Sequence, residues 1–511
     1  MRAAPDASLS SRVSKLALAA AVIVAAALGI ESSSAEQALL RFGLASNPVT
    51  LDPRFATDAA STRINRLLYR RLVDFNAQFQ PMPALASWIQ IDPQRYRFLL
   101  ASDRAPFHNG DNLTAHDVKA TYDFILDADN ASPHRATLEM IDRIQVHDID
   151  TVDFILSKPD PLFPGRLVVG ILPRSGIIAG RRFNREPMGS GPFEFAGWPR
   201  DDRLQIRRRS DGLLVDFVRV PKPNVRVLKL VRGELDMIQG DLPHEIVGWL
   251  EGRDEVRVTK AKGTTFAYLG FNMEDPVVAN VDVRRAIAHA IDRDAIIRYV
   301  LGGSARPASA ILTPNHWAGH PDLPLIEHDP ERARLLLNMA GYGEGNEPRI
   351  VYKTSSDPFR VRLATIIQDQ LAEVGIRVEL RTYDWGTFYG DVKAGNFQMY
   401  SLSWVGIKMP DIFRYVFHSK SIPPAGANRG RFIDAAADQL IEQAESEPQL
   451  EEQARYYREL QALVLRELPY VPLWYEDQVF ASRRGVSGYE VEPDGNYDGL
   501  IQVRISDDQE S

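Results

Sequence analysis

The chain has 511 residues, of which 44% are hydrophobic, 9% aromatic and 25% charged, enough apolar material for large cores and too much for a disordered chain. A formal net charge of −8 argues against a general nucleic-acid binder, which presents a basic face. There is no cysteine, so disulfides, thiolate metal sites, cysteine nucleophiles and a lipid anchor on an N-terminal cysteine are excluded.

At the N-terminus Arg2, Arg12 and Lys15 precede an uncharged run over 16–30, followed by Glu31, three serines and Ala35. A basic start, a short apolar centre and a small-residue exit predict an export signal over 1–35. The run is Ala-rich and shorter than the about 20 residues a membrane span needs. The mature protein is expected to be soluble and periplasmic.

Helical and strand-like signals then alternate, so the class is mixed α and β. Residues 39–44 read as a strand, leading into the loop Asn47-Pro48-Val49-Thr50-Leu51-Asp52-Pro53. The spacing of Ile64, Leu67, Leu68 and Leu72 predicts a helix over 61–73. Segments 96–100 and 152–156 read as strands, Thr114 to Asp117 as a capping box, and 159–173 as a Pro- and Gly-rich loop. Asp282 opens a helix carrying Ile287 and Ile291, and a second helical stretch runs to Leu301 and stops at Gly302-Gly303. Asp329-Pro330 supplies a cap and an N1 proline for another helix, and a stripe from Val361 to Val374 closes at Gly375. Ile376, Val378 and Leu380 alternate with charged residues as a half-exposed strand. A helix over 385–394 and a strand over 397–402 follow, and a long helix from Leu450 ends at Pro469. This succession predicts an open α/β sheet with helices packed on it.

Several stretches, in order, carry a family resemblance. They are Phe107-His108-Asn109-Gly110-Asp111-Asn112-Leu113-Thr114-Ala115-His116-Asp117-Val118; Gly189-Ser190-Gly191-Pro192-Phe193; Gly233-Glu234-Leu235-Asp236; Gly270-Phe271-Asn272 with Val283-Arg284-Arg285-Ala286-Ile287 and Ala290-Ile291-Asp292-Arg293; Asp329-Pro330-Glu331-Arg332-Ala333; and Pro469-Tyr470-Val471-Pro472-Leu473. Together they resemble the extracellular solute-binding protein family 5, the peptide- and nickel-type binding proteins of ABC importers. Each motif alone is a weak signal, and most are helix caps and tight turns; it is their order that is specific.

The resemblance implies a two-lobed periplasmic binding protein type II-like fold with a hinge, the first lobe discontinuous in sequence. On that pattern lobe 1 spans 36–269 with an inserted subdomain at about 76–185, lobe 2 spans 270–476, and 477–511 returns to lobe 1. Gly270 to Asn272 and Leu473 to Tyr475 then sit near the lobe crossings. The implied function is capture of a peptide or peptide-like solute for an ABC permease, by a monomer with no cofactor and no catalysis. The same fold with a metal chelate, an opine or a sugar-like ligand is the alternative.

The candidate ligand-binding residues are Leu51, Asp52, Phe271, Asn272, Trp385, Trp404, Val405, Gly406, Ile407, Trp474 and Tyr475. Asp52 with Pro53 either lines the cleft or shapes a turn at a strand end. Trp385, Trp474 and Tyr475 either face the cleft or serve the core. In the family, the stretch matching Trp404 to Ile407 lines the pocket. Peptide-binding relatives often place an aspartate soon after this tryptophan, where it pairs with the ligand's α-ammonium; here Ile407 and Lys408 stand at about that point. A buried ammonium needs a partner, so the resemblance does not carry recognition of a free amine over to this chain.

Two other motifs have plainer readings. Gly189-Ser190-Gly191 runs into Pro192 and lacks a following Lys-Ser/Thr, so it reads as a turn at a lobe crossing and not as a phosphate cradle. His316 and His320 have a metal-ligand spacing, but Pro314, Gly319 and Pro321 argue against a helix there, so two ordinary loop histidines are expected. An exported hydrolase is the rival class. No G-x-S-x-G, H-E-x-x-H or S-x-x-K set supports it.

Overall fold

Local signals account for the first elements. In the computed structural model, which describes Met1, 38–240 and 242–506, strand β1 (Leu39–Leu44) buries Leu40, Phe42 and Leu44 on one face. Except for Met1, the predicted export signal lies outside the described residues. Helix α1 (Ala59–Leu68) is capped by Asp58, whose carboxylate accepts from the Ser61 N–H at 2.9 Å. It buries Ile64, Leu67 and Leu68 and ends earlier than the predicted residue 73. The reason is tertiary. The Gly191 N–H donates to the Leu68 carbonyl at 2.9 Å, and a Cβ at Gly189 or Gly191 would lie 2.0 Å or 2.3 Å from the Leu68 or Leu67 carbonyl oxygen. Gly189-Ser190-Gly191 thus forms a tight seat for the helix end.

Four strands form a separate antiparallel sheet: β2 (Ala86–Asp92), β3 (Arg95–Leu100), β4 (Ile141–Val146) and β5 (Thr151–Leu156), in the order β2-β3-β5-β4. The helix over Ala115–Leu126 covers it, its start fixed by the Thr114 N–H donating to Asp117 at 2.8 Å. Tyr96, Phe98, Tyr122, Phe154 and Phe163 give this sheet its own core. Asp153 is buried on β5 and is held by Arg95, Arg97 and His147. Burial alone would raise its pKa, but these partners hold the carboxylate well below the usual range.

Val73–Phe75 with Pro81–Pro83 and Val486–Ser487 with Arg504–Ile505 form two small antiparallel pairs of their own, while ten further strands join β1 in an 11-stranded mixed sheet. They are β6 (Phe193–Arg200), β7 (Arg203–Arg208), β8 (Leu214–Arg219), β9 (Met237–Gln239), β10 (Val256–Phe271), β11 (Ala305–Pro307), β12 (Arg349–Ser355), β13 (Arg377–Tyr383), β14 (Met399–Trp404) and β15 (Tyr470–Arg483). The order is β13-β12-β14-β10-β15-β9-β1-β8-β7-β6, with β11 on the side of β15. The pairs β12–β13 and β12–β14 are parallel, as the α/β pattern predicts, and α2 (Pro358–Glu373) and α3 (Trp385–Ala394) connect them. Antiparallel pairing dominates elsewhere, which the helix–strand succession did not reveal.

Strands β10 and β15 run through both halves of the sheet. Residues 265–270 of β10 pair with 470–476, beside β14 and β11; residues 256–261 pair with 478–483, beside β9. The ladder breaks between Ala261 and Thr265, where the sheet's neighbours change. Gly263 sits in this break, and a Cβ there would lie 2.1 Å from the Glu476 carbonyl oxygen.

Candidate functional site

The face of α1 opposite its buried stripe carries Ala59, Thr62, Arg63 and Arg66, a helical spacing. These residues and Asn65 form one wall of a cavity of about 830 Å³. Pro53, Phe75, His134, Arg166 and Gly170 continue that wall, Asp494 and Asn496 close it, and Val405, Gly406 and Lys408 project from the segment after β14. The volume falls within the about 300–1,000 Å³ of ligand sites.

The charges in this wall are mostly taken. Arg66 bonds Asp74 at 3.0 Å and also Asp498, and Arg71 bonds the same Asp74. Arg166 binds Asp160 at 2.6 Å and Asp411 at 2.8 Å. Lys408 pairs with Asp494, the one carboxylate that lines the cavity among the described residues, and lies 5.6 Å from the centre of the Phe75 ring. Burial pushes Asp494 up, but the charge and hydrogen bond of Lys408 outweigh it and hold the carboxylate below its ordinary value. Arg63 faces the Tyr497 ring at 5.5 Å and has no ion pair among the described residues. Asn65 is 5% exposed, and neither its Oδ1 nor its Nδ2 has a hydrogen-bond partner. The Nε2 of His134 is also buried and unpartnered, and burial lowers the pKa of that ring.

A second cavity of about 230 Å³ lies against β12, β14 and α3, and Val405 lines both. Ser401 and Ser403, two apart on β14, face it together with Tyr352, Thr354, Trp385 and Trp474. Trp385 is 59% exposed and stacks on Tyr389, ring centres 5.3 Å apart. Trp474 is 1% exposed, with an unpartnered indole N–H.

The structure therefore brings Trp385, Val405, Gly406 and Trp474 to cavity walls. Trp404 lines neither cavity; it is stacked at 6.4 Å on Tyr268, with the Arg429 guanidinium 4.9 Å from its ring. The other candidates line neither cavity. Leu51 is in the core, and its carbonyl accepts from the Tyr69 hydroxyl at 3.0 Å. Asp52 is buried and forked to Arg54 at 2.9 Å and 2.7 Å, which shapes the turn. Phe271 is in the core; Asn272 donates to the Gly395 carbonyl and accepts from the Glu274 N–H. Ile407 packs on the cluster that contains Tyr268 and Phe413. The buried Tyr475 hydroxyl sits 2.6 Å from the Ala310 carbonyl and 2.9 Å from that of Leu312.

The cavity-lining residues of α1, with Arg166 and Asp494, were not among the candidates. The α1 face carried a signal, a polar stripe opposite the apolar one, but a solvated face looks the same. His316 and His320 lie in a loop. The His316 Nδ1 accepts from the Ala318 N–H at 3.0 Å, so its Nε2 carries the proton and donates to the Lys408 carbonyl at 3.2 Å. Burial lowers its pKa to about 4. His320 accepts from the Asp322 N–H.

Residues 78–422 match the family model described as "Bacterial extracellular solute-binding proteins, family 5 Middle". The chain belongs to this family. Among similar proteins, the "Probable di/tripeptide-binding protein 5" of Pseudomonas aeruginosa (strain UCBPP-PA14) is 28% identical over 472 residues, covering 84% of this chain and 89% of that protein. The periplasmic binding protein DppA from Helicobacter pylori, solved with the peptide STSA, is 26% identical with a TM-score of 0.73, covering 91% of this chain and 98% of that one. AgaA from A.tumefacien R10, solved with agropinic acid, is 26% identical with a TM-score of 0.72, covering 92% and 99%. This family 5 chain thus has the two-lobed architecture of periplasmic binding proteins. The family and these relatives are binding proteins, and no helix among the described residues is long and apolar enough to cross a membrane.

Proposed function

We propose that this family 5 protein captures a peptide or peptide-like solute between its lobes and delivers it to the permease of an ABC importer. It acts in the periplasm as a monomer and without chemistry on its cargo. The observation that carries this is the cavity of about 830 Å³, walled by residues 53–75, 134–170 and 494–496 on one side and by 405–408 on the other. Two segments far apart in sequence meet across it through Lys408–Asp494 and Arg166–Asp411. Closure around a guest is a population shift set by contacts that exist only in the closed state. We assign the lobe crossings to the break at 261–265 and 476–478, because the sheet exchanges neighbours there. This differs from the sequence-based boundaries near 269/270 and 476/477 chiefly at the first crossing. The relatives' names support a peptide guest; the agropinic acid complex supports an opine-like one.

The test is small-angle scattering combined with thermal melting of the ligand-stripped protein, with and without a pool of short peptides and N-acylated amino acids. A smaller radius of gyration and a higher Tm in the same fraction are expected. An unchanged envelope with every compound, together with turnover of any of them, would refute the proposal.

A further inference from the structure

The charges of the larger cavity restrict what its occupant looks like. An ammonium group taken out of water needs a carboxylate, since an unpaired buried charge loses its hydration without replacement. Asp494 is the one carboxylate lining this cavity among the described residues, and Lys408 already occupies it. The Asn496 N–H donates to the same carboxylate at 3.0 Å. The carboxylates behind the wall are engaged too: Asp74 and Asp498 by Arg66, Asp160 and Asp411 by Arg166. What remains unmatched is of the opposite character. Arg63 brings a positive charge with no ion pair among the described residues. Asn65 brings an amide with donor and acceptor both unused, and such a buried pair calls for a partner that both accepts and donates.

Resting on the reading of this cavity as the solute site, we propose that it selects a carboxylate-bearing amide without a free amine, in which Arg63 meets the carboxylate and Asn65 meets the amide. Lys408 is the specificity-determining residue: its own ammonium takes the place that a guest's amine would need. His316 fixes the backbone from which Lys408 projects, through the bond to its carbonyl. Chemical classes that meet the requirement are N-acylated acidic amino acids, N-blocked peptides and opine-like conjugates.

The test is titration calorimetry on the ligand-stripped full chain with N-acetyl-alanyl-glutamate and with alanyl-glutamate, which differ only in the blocked amine. The wild type is expected to bind the blocked peptide at least tenfold more tightly. Lys408→Met frees Asp494 and is expected to narrow or reverse that ratio, while Lys408→Arg, which keeps the ion pair and guards against a folding defect in the first variant, preserves it. Arg63→Met and Asn65→Leu are each expected to lose at least tenfold in affinity for the blocked peptide with unchanged Tm. Equal or tighter binding of alanyl-glutamate by the wild type overturns the inference, as does a ratio that Lys408→Met leaves untouched, while lobe closure with either peptide keeps the importer reading. If neither peptide binds, the inference fails; if no compound of the peptide and acyl-amino-acid pool closes the lobes, the importer reading fails with it.

Discussion

The ring of His316 holds the carbonyl of Lys408 at 3.2 Å, so a loop histidine far from the cavity in sequence sets the position of a cavity-lining lysine. The imidazole is 4% exposed and stacks on Phe79 at 5.5 Å, which leaves no room for the hydration a charged ring requires.

That burial has a pH signature. His316 titrates at about 4 in the folded chain against about 6.5 in an unfolded one. Between these values the unfolded state holds the extra proton, so this stabilisation is complete above pH 6.5 and is lost as pH falls towards 4. Its size is about 3 kcal/mol at full extent. Urea denaturation of the wild type and of His316→Gln across pH 4–7 checks this: the variant is expected to be less stable at pH 7 and to show a flatter profile. Parallel profiles for the two proteins would assign the acid loss elsewhere.

Gly189 and Gly191 are expected to tolerate no side chain. Alanine at either would drive its Cβ into a main-chain carbonyl at the end of α1, and backbone cannot swing aside. A loss of about 1–3 kcal/mol is expected on chemical denaturation. Because α1 carries Arg63 and Asn65, solute affinity should fall in the protein that remains folded.

Trp385 and Trp474 line the same small cavity but should answer differently. Trp474→Ala removes a fully buried ring and is expected to cost about 3–5 kcal/mol in urea denaturation. Trp385→Ala removes an exposed ring and is expected to change stability by about 0.5 kcal/mol or less. If the guest reaches this cavity past Val405, calorimetry will show weaker binding by Trp385→Ala; unaltered affinity would confine the guest to the larger cavity.

Gly263 tests the assignment of the crossing. Gly263→Val places a branched side chain against the Glu476 carbonyl, in the break of the β10–β15 ladder. The expected outcome is a changed radius of gyration for the unliganded protein, with the cavity walls themselves intact. A variant that scatters and binds like the wild type would move the crossing away from this break.

Much of the chain's local structure was legible in its sequence. The caps at Thr114 and Asp329, the glycine stop at Gly375 and the apolar stripes act over a few residues, so spacing alone exposes them. The order of weak motifs likewise pointed to family 5. Among the candidate residues, sequence reached those that follow a recognisable strand, such as Val405 and Gly406. It could not separate cleft-facing aromatics from core ones: Trp385 and Trp474 share a cavity at opposite extremes of exposure, while Tyr475, beside Trp474, spends its hydroxyl on two loop carbonyls.

What only the tertiary structure decided is the chemistry of the cleft. In the sequence Lys408, Asp494 and Arg166 are isolated charges, and Asn65 is one polar residue on an amphipathic helix. Whether a charge is available to a guest depends on which opposite charge the fold places within a few ångströms of it. Those pairings span up to 432 residues in sequence, as between Arg66 and Asp498, a separation at which no local pattern carries information. Periodicity and caps determined where helices and strands form; the meeting of distant segments determined which polar and charged groups at the cavity wall remained unpaired.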